Sequence, residues 1–143
     1  MLLSVVLKAK GNDVIAVSED TKVVEIARII ATRRIGAVVV TDADGKLAGI
    51  VSERDVVKGL AWGGEEIHQM LARAIMSRNV VTATPDTTVE EAMTIMDRGY
   101  FRHLPVLDDG KLIGIVSVRD TVRAHIEGQG HEVESLKSYI FRA

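Results

Sequence analysis

The chain has 143 residues, 47% of them hydrophobic but only 3% aromatic, with a formal net charge of −2. That length fits one α/β domain or two closely packed half-domains with an aliphatic core, and the near balance of charge gives no overall basic field for non-specific nucleic-acid binding. The absence of cysteine excludes disulfides, thiolate nucleophiles and cysteine-based zinc or iron–sulfur centres.

In chain order, the apolar start of MLLSVVLKAKGND, residues 1–13, predicts a short core-packing helix. It lacks the basic leader, long apolar region and cleavage site of a secretory signal. No stretch approaches the roughly 18 apolar residues of a membrane span, so a cytoplasmic protein with no membrane partner is expected. Val14 to Val17 reads as a strand, and Val23, Ile26, Ala27 and Ile30 place a helix by their i, i+3, i+4, i+7 spacing. Ala37 to Val40 is a second strand, Asp42-Ala43-Asp44-Gly45 a turn, and Leu47 to Val51 a third strand, apolar enough to be covered on both faces. A helix then runs to about Leu60.

Residues 62–79 form a connector. Glu65 to Ile75 predicts a helix with Ile67, Met70, Leu71 and Ala74 inward, and Trp62 beside Gly63-Gly64 is read as a packing or oligomer contact. From Val80 the pattern returns. Thr87-Thr88-Val89-Glu90 predicts a T-x-x-E capping box, followed by a helix buried at Val89, Ala92, Met93 and Met96. His103 to Leu107, the turn Asp108-Asp109-Gly110, and Leu112 to Val116 complete a second hairpin. Residues 127–143 read as a tail or short terminal helix, with Val133, Leu136 and Ile140 as its apolar side.

The duplication is clearest in GKLAGIVSERD, Gly45 to Asp55, which returns as GKLIGIVSVRD, Gly110 to Asp120. One unit has been built twice, over residues 14–61 and 80–126, and neither copy is long enough to bury an adequate core alone. In both copies an apolar strand ends in Ser, with Arg and Asp following at the start of a helix: Ser52, Arg54 and Asp55, then Ser117, Arg119 and Asp120. Free N–H groups and the positive end of the helix dipole suit a phosphate there, and the Asp can accept from a ribose diol. S-x-x-D equally reads as a helix cap. Retention of the Arg beside the divergent Glu53 and Val118 favours the binding reading, since a cap does not require it.

These residues resemble the CBS motif, named for cystathionine β-synthase, and Val14 to Ile126 resembles a stand-alone tandem CBS pair, or Bateman module. The resemblance rests on GIVSERD and GIVSVRD, on Ile35-Gly36-Ala37-Val38, and on Arg102-His103-Leu104-Pro105-Val106. It implies an α/β fold of two β-α-β-β-α repeats packed with pseudo-two-fold symmetry, acting as a regulatory sensor of adenine nucleotide (AMP, ADP, ATP or NAD(H)) and not as an enzyme. No cofactor is required. It further implies that Asp55 and Asp120 hold ribose, that Ser52 and Ser117 assist at ribose or phosphate, and that Arg54 and Arg119 meet phosphate. Ala37, Val38, His103 and Leu104, with Arg102 and Pro105, would border the base, and the strand-end residues Ala16 and Thr82 would line the clefts. Only Thr82 offers a hydroxyl there. Leu7-Lys8-Ala9-Lys10-Gly11 resembles the start of a bacterial subgroup of small CBS-pair proteins, which makes Lys10 a candidate phosphate contact; a solvated surface lysine is the alternative. A homodimer and an unidentified effector protein are the implied partners, and the second copy is expected to be the tighter phosphate-bearing site.

Two rival readings stand beside this one. A nucleotide-acting enzyme lacks any G-x-S-x-G elbow, H-E-x-x-H or Walker loop to support it. Nucleic-acid binding through adenosine recognition, which the resemblance permits and for which Arg28, Arg33, Arg34, Arg98 and Arg102 would form a local patch, lacks aromatic platforms. His125, Glu127, His131 and Glu132 have no helical His pairing, so no metal site is read from them.

Overall fold

A computed structural model describes residues 1–11 and 13–128 of the chain. In order the elements are α1 (Leu3–Lys10), β1 (Ala16–Ser18), α2 (Val23–Arg33), β2 (Ala37–Thr41), β3 (Leu47–Ser52), α3 (Glu53–Gly63), a 3-10 turn (Gly64–His68), α4 (Ala72–Ile75), α5 (Val89–Gly99), β4 (His103–Asp108) and β5 (Lys111–Ser117). A last helix, α6, covers 118–128. The pattern is the expected β-α-β-β-α, used twice. The tail positions Val133, Leu136 and Ile140, and His131 and Glu132, lie outside the described residues.

The chain divides into two compact units. Among the described residues, one consists of Asp13–Val81 and Asp109–Ile113; the other takes residues 1–11, Thr82–Asp108 and residues 114–128. In the first, β1 pairs parallel with β2 and β2 antiparallel with β3, with Ala37 opposite Ser52. The apolar stripe of α2 falls on this sheet because Val23, Ile26 and Ile30 recur at helical spacing, and all three are buried. Ile26 and Ile30 join Val17, Val38, Val40, Val51, Ala72 and Met76 in one core cluster. In the second unit Val89, Ala92 and Met96 of α5 are buried in the same way, with Leu104, Val106 and Val116 fully enclosed.

Both turns follow their residue chemistry. Gly45 and Gly110 take φ of 78° and 81°, and in the shorter second turn Asp109 also has positive φ, 52°. Asp and Gly tolerate that region best, which is what a tight hairpin demands.

The duplication extends further upstream than the expected boundaries. In sequence Met1 to Lys10 aligns with Met70 to Asn79, and each segment makes the matching contacts within its own unit. Leu71 bridges Lys22, with Val23 N–H donating to Met70 O at 3.0 Å; Leu2 bridges Thr88, with Val89 N–H donating to Met1 O at 2.9 Å. Leu3, Val6 and Leu7 of α1 are buried, as Ala72 and Met76 are in the connector.

Several local expectations are corrected. Glu65 to Ile75 is not one helix, because Leu71 extends to bridge Lys22 and so divides a 3-10 turn from α4. That break turns Ala72 inward and leaves Ala74 exposed. The first strand of the second repeat shrinks to a single parallel bridge, Ala83 to Val106. Thr84 precedes Pro85, and its N–H bonds to Thr87 Oγ1 at 3.1 Å, so the ladder stops there. The cap of α5 is one residue later than expected: Thr88, not Thr87, accepts from Glu91 N–H, at 3.1 Å. The first strand is Ala16–Ser18, not Val14 to Val17. Within the chain β3 and β5 alternate buried and half-buried positions and are not enclosed on both faces.

Candidate ligand-binding site

The strand-to-helix junction after β3 is fixed by reciprocal bonds. Asp55 N–H donates to Ser52 Oγ at 3.3 Å, while Ser52 N–H and Oγ–H donate to Asp55 Oδ2 at 2.9 and 3.0 Å. This is a capping box, so the cap predicted as the alternative role is present. It does not use up the carboxylate, because no hydrogen bond reaches Asp55 Oδ1 among the described residues. Capping and binding are therefore compatible, with one oxygen turned to the helix and one left over. Arg54 and Ala16 are exposed, and Glu53 N–H donates to Gly36 O at 3.0 Å, which sets Ala37 beside the junction.

The second junction has the same frame. Ser117 N–H donates to Asp120 Oδ2 at 2.8 Å and Asp120 N–H donates to Ser117 Oγ at 3.1 Å. Val118 N–H meets Arg102 O at 2.9 Å, the counterpart of the Glu53 to Gly36 bond. Arg119 and Arg102 are exposed, while Thr82 and His103 are half-buried. Val38 and Leu104 are 1% and 0% exposed, and Ala37 and Pro105 are also buried, so at these four positions the main chain is what remains to meet a ligand.

The two copies part at Lys10. Its ammonium donates to Asp120 Oδ2 at 2.6 Å and to Ile115 O at 2.8 Å, both from the end of α1. In the first copy the equivalent strand carbonyl, Ile50 O, takes a main-chain N–H from Ser77 at 2.9 Å. The connector becomes extended at Met76 and reaches β3 with its backbone, whereas α1 continues as helix to Lys10 and reaches β5 with a side chain. Burial pushes the Asp120 carboxyl up. The Lys10 hydrogen bond, the Ser117 N–H and the Lys10 charge together outweigh it and hold the group below its ordinary value.

The glycine of GIVS has a packing role that the motif alone does not reveal. A Cβ on Gly49 would lie 2.7 Å from Met76 Sδ and 2.9 Å from Ser77 O; one on Gly114 would lie 2.6 Å from Leu7 Cδ2. Each repeat thus needs glycine where a flanking segment crosses the strand, the connector at Gly49 and α1 at Gly114. Aligning Leu2 to Lys10 with Leu71 to Asn79 is the sequence signal that identifies these contacts. Trp62 is 80% exposed and packs little within the chain. His125 Nδ1 lies 3.7 Å from Glu90, and among the described residues no three His, Asp or Glu side chains are placed to hold a metal ion. No helix among those residues is long and apolar enough to cross a membrane.

Comparison with known proteins identifies the family and the fold. The CBS domain family profile matches residues 10–61 and 72–127. A CBS-domain containing protein from Agrobacterium tumefaciens is 42% identical, covering 87% of this chain and 99% of that one with a TM-score of 0.85. The CBS domain pair of protein MJ0100, solved with 5′-methylthioadenosine and S-adenosyl-L-methionine, is 28% identical over 90% of this chain and 98% of its own, TM-score 0.79. A CBS domain protein from Pyrobaculum aerophilum complexed with AMP is 27% identical over 84% and 89%, TM-score 0.75. The chain spans about a fifth of the length of two curated Arabidopsis thaliana relatives, CBS domain-containing proteins 33% and 34% identical over 79% of this chain. Two profile matches, one on each repeat, and a shared fold place the chain in the CBS-domain family as a tandem CBS pair.

Proposed function

We propose that the chain is a regulatory module that binds adenine nucleotide through its two Ser-x-Arg-Asp junctions and passes the bound state to a partner or to its own oligomer. The observation that carries this reading is the repeated junction itself. Each copy orients an Asp by a main-chain N–H on Oδ2 while Oδ1 makes no bond among the described residues, next to an exposed Arg and at a helix start. That set of groups meets the chemistry of a ribose and its phosphate. The AMP and S-adenosylmethionine complexes of the relatives support an adenosine ligand. By this reading Asp55 and Asp120 accept from ribose, Ser52 and Ser117 orient them, and Arg54, Arg119 and Lys10 serve phosphate. Ala16, Thr82 and the main chain at 37–38 and 102–105 border the nucleoside.

Dimerisation with a second copy is part of the proposal. Val57 and Leu60 on α3 and Val118, Val122 and Ile126 on α6 are exposed, from 36% to 63%, and those on α6 fall on one stripe at i, i+4, i+8. A duplicated apolar face suits a self-complementary contact. The action is regulatory and the setting cytoplasmic, with an effector protein as reader.

Thermal denaturation with AMP, ADP, ATP, NAD, NADH and S-adenosylmethionine tests the reading. A ligand at about 100 times its Kd adds roughly 2.7 kcal/mol, a rise of several degrees in Tm. No rise with any of the six contradicts it.

A further inference from the structure

The groups that flank the two carboxylates differ in charge. Gly36, Glu53, Arg54 and Asp55 gather at the first junction; Arg102, Val118, Arg119 and Asp120 gather at the second, with Lys10 delivered onto Asp120 by α1. Aligned with Lys10 at the end of the connector is Asn79, an uncharged residue. The Lys10 ammonium is also held in place. Two of its three donors are committed, to Ile115 O at 2.8 Å and Asp120 Oδ2 at 2.6 Å, and its side chain is 37% exposed. The third donor is left for a group arriving from solvent. Because Lys10 and Ser117 N–H share Oδ2, Asp120 Oδ1 is left for a hydroxyl at the same time.

We infer that Lys10 is the specificity-determining residue of the second-repeat site, selecting an adenosine ligand that carries phosphate over one that is neutral or cationic. The inference rests on the nucleotide reading above and narrows its ligand class for one site. A ribose hydroxyl donates to Asp120 Oδ1 while the third Lys10 donor takes a phosphate oxygen, so the cation that neutralises Asp120 also accepts the ligand's charge. Among the described residues Asp55 has no such cation paired with it: its Oδ2 takes its second bond from the Ser52 hydroxyl at 3.0 Å. There the junction adds Glu53 instead, which disfavours an anion. A phosphate near Asp120 without Lys10 would face an unpaired carboxylate, a repulsion that a thioether or sulfonium ligand does not feel.

The test is calorimetric titration of the intact protein and its Lys10→Met and Lys10→Arg variants with AMP and with adenosine, which differ only in phosphate. The unmodified protein prefers AMP at the stronger site by about tenfold or more, the scale of one charge-assisted hydrogen bond. Lys10→Met reduces that ratio to about threefold or less, chiefly by weakening AMP, and flattens the salt dependence of AMP binding; Lys10→Arg keeps the preference. Thermal melts of each variant without ligand separate lost folding from lost selectivity. A ratio unmoved by Lys10→Met, with both ligands still bound, overturns the inference and leaves the nucleotide reading intact. Failure of both ligands to bind the unmodified protein overturns the reading itself and the inference with it.

Discussion

Leu7 packs onto Gly114 so closely that a methyl group on the glycine would lie 2.6 Å from Leu7 Cδ2. Gly49 holds the matching place under Met76, but there a main-chain oxygen, Ser77 O, stands 2.9 Å from the same virtual atom. A side-chain tip can rotate away; a bonded backbone cannot. Gly49→Ala is therefore expected to lower stability by about 1–3 kcal/mol and Gly114→Ala by less, the usual range for overpacking. Chemical denaturation checks the order. Adding Leu7→Ala should relieve part of the Gly114→Ala penalty and none of the Gly49→Ala one.

Asp120 gives a pH signature. Its native carboxyl sits below the ordinary aspartate value, so the group binds fewer protons folded than unfolded in that range. Its stabilisation is complete above about pH 4 and is lost as pH falls through the lowered native value. Lys10→Met removes the leading favourable cause. The Tm gap between unmodified protein and this variant is expected to be steady near neutral pH and to close below about pH 4. A gap that persists at low pH would mean that Lys10 stabilises the fold through its aliphatic stem and not through the ion pair.

The capping and binding roles of the junctions separate by mutation. Ser52→Ala and Ser117→Ala remove a cap and should each cost about 1 kcal/mol of stability. Asp55→Ala and Asp120→Ala should in addition weaken nucleotide binding at their own site by about tenfold to a hundredfold, through loss of a charge-assisted bond to ribose. A loss of stability with unchanged affinity would reduce both aspartates to caps.

Much of this was legible in the sequence, for identifiable reasons. Helical spacing located α2 and α5 because Ile26, Ile30, Ala92 and Met96 must face one way to be buried. Asp and Gly located both turns because positive φ leaves few other choices. The junction residues were visible because the same string occurs twice. What escaped was non-local. Leu71 extends only because Lys22 waits for it, and the start of α5 shifts to Thr88 because Leu2 and Met1 bond to that point from the far end of the chain. The ion pair between Lys10 and Asp120 spans 110 residues, and no local pattern announces it. Its trace was present all the same, in the likeness of Met1-Leu2 to Met70-Leu71.

Self-association is testable at the exposed helices. Leu60, 58% exposed on α3, and Ile126, 61% exposed on α6, have little to lose within one chain. Leu60→Glu or Ile126→Glu should leave the unfolding free energy of the monomer within about 0.5 kcal/mol of unchanged, as for other surface substitutions, while shifting sedimentation from two chains toward one. A single-chain species for the unmodified protein at micromolar concentration contradicts the dimer.

The most direct test of the account is calorimetric titration of AMP into the intact protein beside its Asp120→Ala variant. Saturable binding that the variant loses by tenfold or more is the expected result. Equal affinity in both, or no binding of AMP or any other adenosine ligand to the unmodified protein, contradicts the assignment of the repeated Ser-x-Arg-Asp junction as a nucleotide site.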